Sequence, residues 1–467
     1  MELERPVPGG RPRRGGKRLG AALLALMLAG AGLAACGDSD DDSNAAGGGS
    51  AQTEAGGGGG GDEGGGGEAG ARLREALGLT EEEAKACADK EFRLGAVLAL
   101  TGPGAFYGST MSNGIDLAVE HIKAAGGPTF KVKYYDNKSG DPAAGQQAIT
   151  ELGENGYGAK LASYVDNLGS MLAGTAQYKI LTLDGGGGTS IFGQKQPFFW
   201  GTRAITSNDV LPGLFEYVKQ AMPDAKTVGL VGWDVGEPSN SIVREDILAK
   251  IADSGLEFNG LYETVQVGSQ DFSQVLPRIS SNEPDVLLVG VYGQDVGSFF
   301  NQAQVAGLDS QIVGFEFTPD GINASKGTFD QGYTFAYDFF DAENPTNPLA
   351  KLFVEEFKSA NDDDEPDFYA ANYYEDTLAM WDLVRRVCAD GGDINSGPAL
   401  DEALRANPTF ASVYGGDEQT VGSKTLDLDT HSVTQRPMGV FRYEDGDVHP
   451  LAYFDLDAKD FRMAESD

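Results

Sequence analysis

The sequence predicts an α/β protein built as two doubly wound parallel-sheet lobes behind a disordered, glycine-rich tether. Three observations carry that reading. Between Phe92 and Phe315, short apolar runs of strand character alternate with longer stretches of helical character, the pattern of parallel strands covered by helices. There are more such units than one compact sheet holds, which divides the 467 residues into two lobes. Residues 37–71 contain 15 glycines and neither an aromatic residue nor a Lys or Arg, so they cannot bury a core.

The first 36 residues read as an address. Arg11, Arg13, Arg14, Lys17 and Arg18 form a basic region, and an apolar stretch from Leu19 to Leu33 follows, too short for a comfortable membrane span. It ends in Leu33-Ala34-Ala35-Cys36, which resembles the bacterial lipobox, whose cysteine is acylated and becomes the new N-terminus. An ordinary secretory signal with an incidental Cys36 is the rival reading. The glycine-rich coil behind it would span roughly 30–35 Å and lift a domain clear of a membrane surface. An extracytoplasmic, lipid-anchored location on the bacterial cell membrane is therefore expected.

Charge narrows the partners. Residues 1–35 hold six basic and two acidic residues, so the remainder has 29 basic against 69 acidic, a net charge of −40. Such a surface repels phosphate backbones and excludes nucleic acid as a partner. Two cysteines remain beyond Cys36, namely Cys87 and Cys388. In an exported protein an even pair invites a disulfide, with two buried free thiols as the alternative.

The elements follow in order. Thr80-Glu81-Glu82-Glu83 has the form of a capping box and opens a short helix to about Lys90. Strands are expected over 92–100, 130–135, 159–164 and 180–183, with helices over 111–125, 141–154 and 172–178 between them. The second half repeats the alternation: strands over 227–233, 258–265, 285–291 and 311–315, and helices over 239–254, 272–281 and 296–306. Open parallel sheets bind ligands beyond the carboxyl ends of their strands. At one such end stands Leu183-Asp184-Gly185-Gly186-Gly187-Gly188-Thr189-Ser190. Bare glycine there can aim several N–H groups at one anion, although Asp184 would itself repel an anion or attract an ammonium.

Enzyme templates find no match. The chain has only His121, His431 and His449, no Gly-x-Ser-x-Gly elbow, no phosphate-binding Gly-x-x-x-x-Gly-Lys-Ser/Thr loop, and no His-x-x-x-His or Cys-x-x-Cys metal spacing. A binding protein without cofactor or metal is the better expectation.

At the level of longer motifs, GAVLALTGPGAFYGSTMSNGIDLAVEHIKAAGG, YYDNKSGDPAAGQQAITEL, LASYVDNLGSMLAGTAQYKILTLDGGGGTS and GFEFTPDGINA resemble, in that order, periplasmic binding proteins of the leucine/isoleucine/valine type. These are substrate-binding proteins of ABC importers with a type I fold, and the likeness covers about residues 92–460. It implies two lobes joined by three crossovers, with 91–206 and 338–437 in lobe one and 207–337 and 438–467 in lobe two. It implies that Ser163 and the turn Asp184, Gly185, Gly186, Gly187 and Thr189 hold an amino acid's α-carboxylate, and that Asp320 pairs with its ammonium. Tyr107, Tyr292 and either Phe368 or Tyr369 would line the pocket, with Tyr164, Asp166 and Trp233 at strand ends facing the cleft. The family's short-range disulfide would need cysteines near Ser139 and Ala162, and neither is one. The expected protein is thus a monomeric, lipid-anchored ABC substrate-binding protein for an amino acid or amide-like metabolite, delivering to membrane permease subunits. A ligand-sensing subunit of a signalling receptor and an enzyme on the same scaffold are the rival readings.

Overall fold

The computed structural model describes residues 65–163, 169–187, 195–204, 209–237, 239–456 and 460–464, all within one unit, Gly61–Asp467. Cys36, Tyr164, Asp166 and Thr189 lie outside them.

The first sheet is built from a regular alternation. After α1 (Gly65–Ala76) and α2 (Glu81–Ala84) come β1 (Glu91–Leu98), α3 (Ala105–Ala124), β2 (Thr129–Asp136) and α4 (Pro142–Glu154). Then follow β3 (Ala159–Ala162), α5 (Gly169–Tyr178), β4 (Leu181–Asp184) and β5 (Phe199–Gly201). The strand order is β2-β1-β3-β4-β5, all parallel. Every residue of β3 and β4 is buried, as a strand covered on both faces demands.

The second sheet begins with α6 (Leu211–Ala221), β6 (Thr227–Trp233), α7 (Ser239–Ser254), β7 (Glu257–Val265) and α8 (Leu276–Ser281). It continues with β8 (Val286–Gly290), α9 (Gln294–Ala306), β9 (Gln311–Gly314), α10 (Pro319–Ser325) and β10 (Gln331–Asp338). The chain then returns to the first lobe through α11 (Pro348–Ala360), α12 (Phe368–Ala389), α13 (Gly397–Ala406) and the hairpin β11 (Thr409–Gly416) and β12 (Val421–Thr425). It closes with β13 (Met438–Glu444), β14 (Asp447–Phe454) and β15 (Arg462–Met463). The second sheet runs β15-β14-β13-β10-β9-β8-β6-β7. Strands β6 to β10 are parallel, but β13, β14 and β15 join antiparallel, so this sheet is mixed rather than wholly parallel. The tight turn at Asp445-Gly446, both with positive φ, makes β13 and β14 a hairpin, which needs no covering helix.

Local chemistry sets the helix ends. The Thr80 side chain accepts from Glu83 N and the Glu83 carboxylate accepts from Thr80 N, but the helix they open stops at Ala84 instead of Lys90. Asp141, Asn347 and Asp367 cap α4, α11 and α12, each accepting from the backbone N–H three residues on. Helix α3 starts at Ala105, six residues earlier than expected, because the turn before it feeds directly into helical geometry.

Residues 65–71, expected as the end of the coil, are helical. Leu73 of α1 is fully buried, and a Cβ on Gly70 would lie 2.2 Å from the Ala124 backbone, so α1 rests on α3 through bare glycine. Cys87 and Cys388 are joined as a disulfide, tying the segment before β1 to the C-terminal turn of α12.

Three chain passages connect the lobes, and they run side by side. Phe339 N donates to Pro437 O at 2.9 Å. Arg436 Nη2 donates to Thr202 O at 2.5 Å, and Arg203 lies 3.5 Å from Asp338. Beneath them sits a buried ionic network: Lys424 contacts Glu375 at 3.0 Å and Asp376 at 2.5 Å, while Arg436 contacts Glu375 at 2.9 Å. Ser412 Oγ and Thr202 Oγ1 donate to Glu375 and Asp376, so these buried carboxylates are paired and hydrogen-bonded.

Candidate functional site

The carboxyl ends of both sheets meet at one place. From the first lobe, Tyr107 projects from the first turn of α3, just beyond β1. From the second, Glu316 follows β9 by two residues. The Tyr107 hydroxyl lies 2.5 and 2.6 Å from the two oxygens of the Glu316 carboxylate, across the boundary between lobes. The Gly293 N–H, at the start of α9, donates to the same carboxylate. Gly293 has φ 60°, and a Cβ there would lie 3.5 Å from the Tyr107 hydroxyl. A glycine allows this backbone to reach the acid.

Glu316 is fully buried, and burial raises its carboxyl to about 7 against the opposing pull of Tyr107, Gly293 and the Arg203 charge. Asp295 adds a second negative charge nearby and is itself raised by burial. Its carboxylate accepts from Trp233 Nε1, the Gly268 N–H and Gln270 Nε2, each at 2.8 Å, which fixes the loop between β7 and α8. Aromatic rings complete the walls. Tyr107 and Tyr369 meet edge-on at 5.1 Å, as do Trp233 and Tyr292 at 5.1 Å, while Tyr369 and Phe368 lie tilted at 4.0 Å.

At the floor, near the crossovers, lies Arg203, 7 % exposed. Its guanidinium sits over the rings of Phe368 and Tyr369, at 4.7 and 5.1 Å. Burial alone would weaken this cation, yet Tyr369, Asp338, Tyr292 and Glu316 outweigh it and hold the group charged.

The expected residues distribute unevenly over this geometry. Tyr107, Tyr292, Phe368, Tyr369 and Trp233 all belong to it. Asp320 stands in the first turn of α10, half-buried, four residues beyond Glu316. Ser163, fully buried behind β3, packs its Cβ against Gly186.

The glycine turn answers to packing and to its own acid. Asp184 Oδ1 accepts from the N–H groups of Gly186 and Gly187, at 3.0 and 3.1 Å, so the anion held by these amides is the Asp184 carboxylate. The carbonyl oxygens point elsewhere, Gly185 O to Asn372 and Gly186 O to Arg203. A Cβ on Gly186 would meet Ser163 Cβ at 2.7 Å, Met111 Cε at 2.8 Å and the Tyr373 hydroxyl at 2.9 Å. Bare backbone is required where β4 runs under α3 and α12.

Sequence reasoning missed Glu316, Arg203 and Asp295. Glu316 had a usable signal: it is an acid just beyond the apolar run from Ile312 to Phe315, at a strand's carboxyl end. Arg203 and Asp295 had none, since their role depends on neighbours more than 60 residues away in the chain for Trp233 and 160 for Tyr369. The histidines stand apart from this chemistry. His121 is buried against the Tyr374 hydroxyl and lowered to about 4 by burial, and His431 stacks on Trp200. Among the described residues no cluster of His, Cys, Asp and Glu could hold a metal ion, and no helix is long and apolar enough to cross a membrane.

Two α/β lobes joined by three adjacent passages, meeting at a buried acid walled by aromatic rings, define a two-lobed ligand-binding protein. The chain belongs to the periplasmic binding protein family, whose profile matches residues 91–447. It is 22% identical over 372 residues to Leu/Ile/Val-binding protein homolog 3 of Brucella melitensis, covering 77% of this chain and 93% of that protein. Its fold is similar to that of the branched-chain amino acid transporter substrate binding protein LivJ of Streptococcus pneumoniae in complex with isoleucine. That match has a TM-score of 0.63 and 20% identity, and covers 81% of this chain and 100% of the other. It is similar to a solute binding protein of an ABC transporter from R. palustris in complex with benzoate, with a TM-score of 0.65, 19% identity and coverage of 81% and 98%.

Proposed function

We propose that this chain is the lipid-anchored, extracytoplasmic substrate-binding component of an ABC importer, capturing a small amino acid or amide-like metabolite between its lobes. The observation that carries the reading is the Tyr107–Glu316 contact: a buried carboxylate of one lobe, two residues past a strand end, closed over by a phenol of the other. A carboxylate held in that way suits the ammonium or amide N–H of a ligand, and the Tyr107, Tyr369, Tyr292 and Trp233 rings supply apolar area around its body. Glu316, buried at the junction of the lobes, adds a second acid to Asp320, which the resemblance pairs with the ligand's ammonium and which stands four residues on in the first turn of α10. Capture shifts the population toward closed lobes, and the closed surface is what a permease recognises; no covalent step is involved. Acylation at Cys36 would hold the protein at the membrane.

Native mass spectrometry of the purified protein, before and after mild unfolding, tests this reading. A co-purified small molecule of amino-acid or amide character, lost in the Glu316→Gln variant, supports it. A protein that carries no such molecule and binds none of the twenty amino acids in calorimetry contradicts it.

A further inference from the structure

The two opposite charges of the site stand at the two ends of one row of rings. Arg203 Nη1 donates to the Tyr369 hydroxyl, the Tyr369 ring meets the Tyr107 ring, and the Tyr107 hydroxyl donates to Glu316. At the Glu316 end the donors are short and well matched. At the Arg203 end they are not. Nη1 reaches Gly186 O and the Tyr369 hydroxyl only at 3.3 Å each, and Nε lies 3.5 Å from Asp338 with no hydrogen-bond partner. A guanidinium has five N–H donors in a planar fork, and a buried one is ordinarily saturated. The amides of Gly186 and Gly187, the other donors at this end, are already taken by Asp184.

We infer that Arg203 is the specificity-determining residue for a carboxylate, so that the ligand class of this site is an organic or amino acid held acid-end toward the crossovers and with its other end toward Glu316. A carboxylate can take two parallel N–H bonds from one guanidinium, where a neutral amide offers a single acceptor oxygen. The Phe368 and Tyr369 rings behind the guanidinium hold its plane in place, and Asp338 competes for the same donors from the hinge side. The inference rests on the proposed capture of a small ligand, and it adds which end of that ligand is read and by what.

Calorimetry against the twenty L-amino acids and benzoate, each beside its primary amide, tests it in the full-length protein. The native protein binds at least one acid roughly tenfold or more tighter than the matching amide, the scale of a lost hydrogen bond to a charged group. Arg203→Gln abolishes that preference, Arg203→Lys keeps part of it through charge alone, and Asp338→Asn sharpens it by removing the competing carboxylate. Thermal unfolding of each empty variant separates a changed site from a failed fold. If both Arg203 variants retain the native acid-to-amide ratio, or if amides bind as well as acids to the native protein, Arg203 is not the reader while capture stands. If no compound binds at all, the capture reading falls and this inference with it.

Discussion

The Tyr107 hydroxyl and the Glu316 carboxylate, 209 residues apart in sequence, meet at 2.5 and 2.6 Å across the junction of the two lobes. Neither residue, read alone, announces the other. Their contact is what the burial of Glu316 requires, because a desolvated acid is tolerated only where something supplies hydrogen bonds to it. Four measurable consequences follow from this and from the packing around it.

Glu316 makes stability depend on pH. Its folded-state carboxyl is raised to about 7, above the ordinary range near 4.5, so the folded state binds its proton more tightly than the unfolded chain. The sign is therefore that stability is fullest below about pH 4.5 and is lost as pH rises through about 7. The loss from this group is a few kcal/mol at most, taking ~1.4 kcal/mol per unit. Urea unfolding between pH 5 and 8 should fall off more steeply in the native protein than in Glu316→Gln; equal slopes would exclude Glu316 as the source.

Gly186→Ala should damage lobe one. The added methyl meets Ser163, Met111 and Tyr373 at under 3 Å, and only the Met111 tip can move aside cheaply. Overpacking of this kind costs about 1–3 kcal/mol. Denaturant midpoints are the measurement, and an unchanged midpoint would mean the turn has more room than its neighbours allow.

Reducing the Cys87–Cys388 bridge should lower thermal stability. The bridge spans 301 residues of sequence. Closing so long a loop is worth on the order of 5 kcal/mol in the chain-entropy picture, and less where the unfolded chain keeps structure. Melting with and without reductant should differ by several degrees in the native protein and not at all in the Cys87→Ser, Cys388→Ser double variant.

Lys424→Met should be severe. It strips Glu375 and Asp376, both fully buried, of a shared cation and leaves Arg436 as the cation against Glu375. Breaking one member of such a cluster costs about 3–5 kcal/mol. The network lies under the crossovers, so small-angle scattering of the empty variant should also show a broader spread of lobe separations.

Much of the fold was legible in the order of residues. Apolar runs such as Val286 to Gly290 and Leu181 to Leu183 announced buried strands, and Thr80 with Glu83 announced a cap, because these signals act over a few residues. The antiparallel end of the second sheet was not read, since the choice between a covered parallel strand and a hairpin turns on which edge the returning chain meets.

By itself the sequence determined the alternation, the two lobes, the aromatic residues that gather at the junction and the need for bare backbone after Leu183. Only the tertiary structure decided which of those pieces touch. It gave the amides of Gly186 and Gly187 to Asp184, brought Glu316 against Tyr107 at the meeting of the lobes, and set Arg203 beneath Tyr369. The physical reason is that a charge acquires its role from burial and from partners brought close in space, and burial is a property of the folded chain.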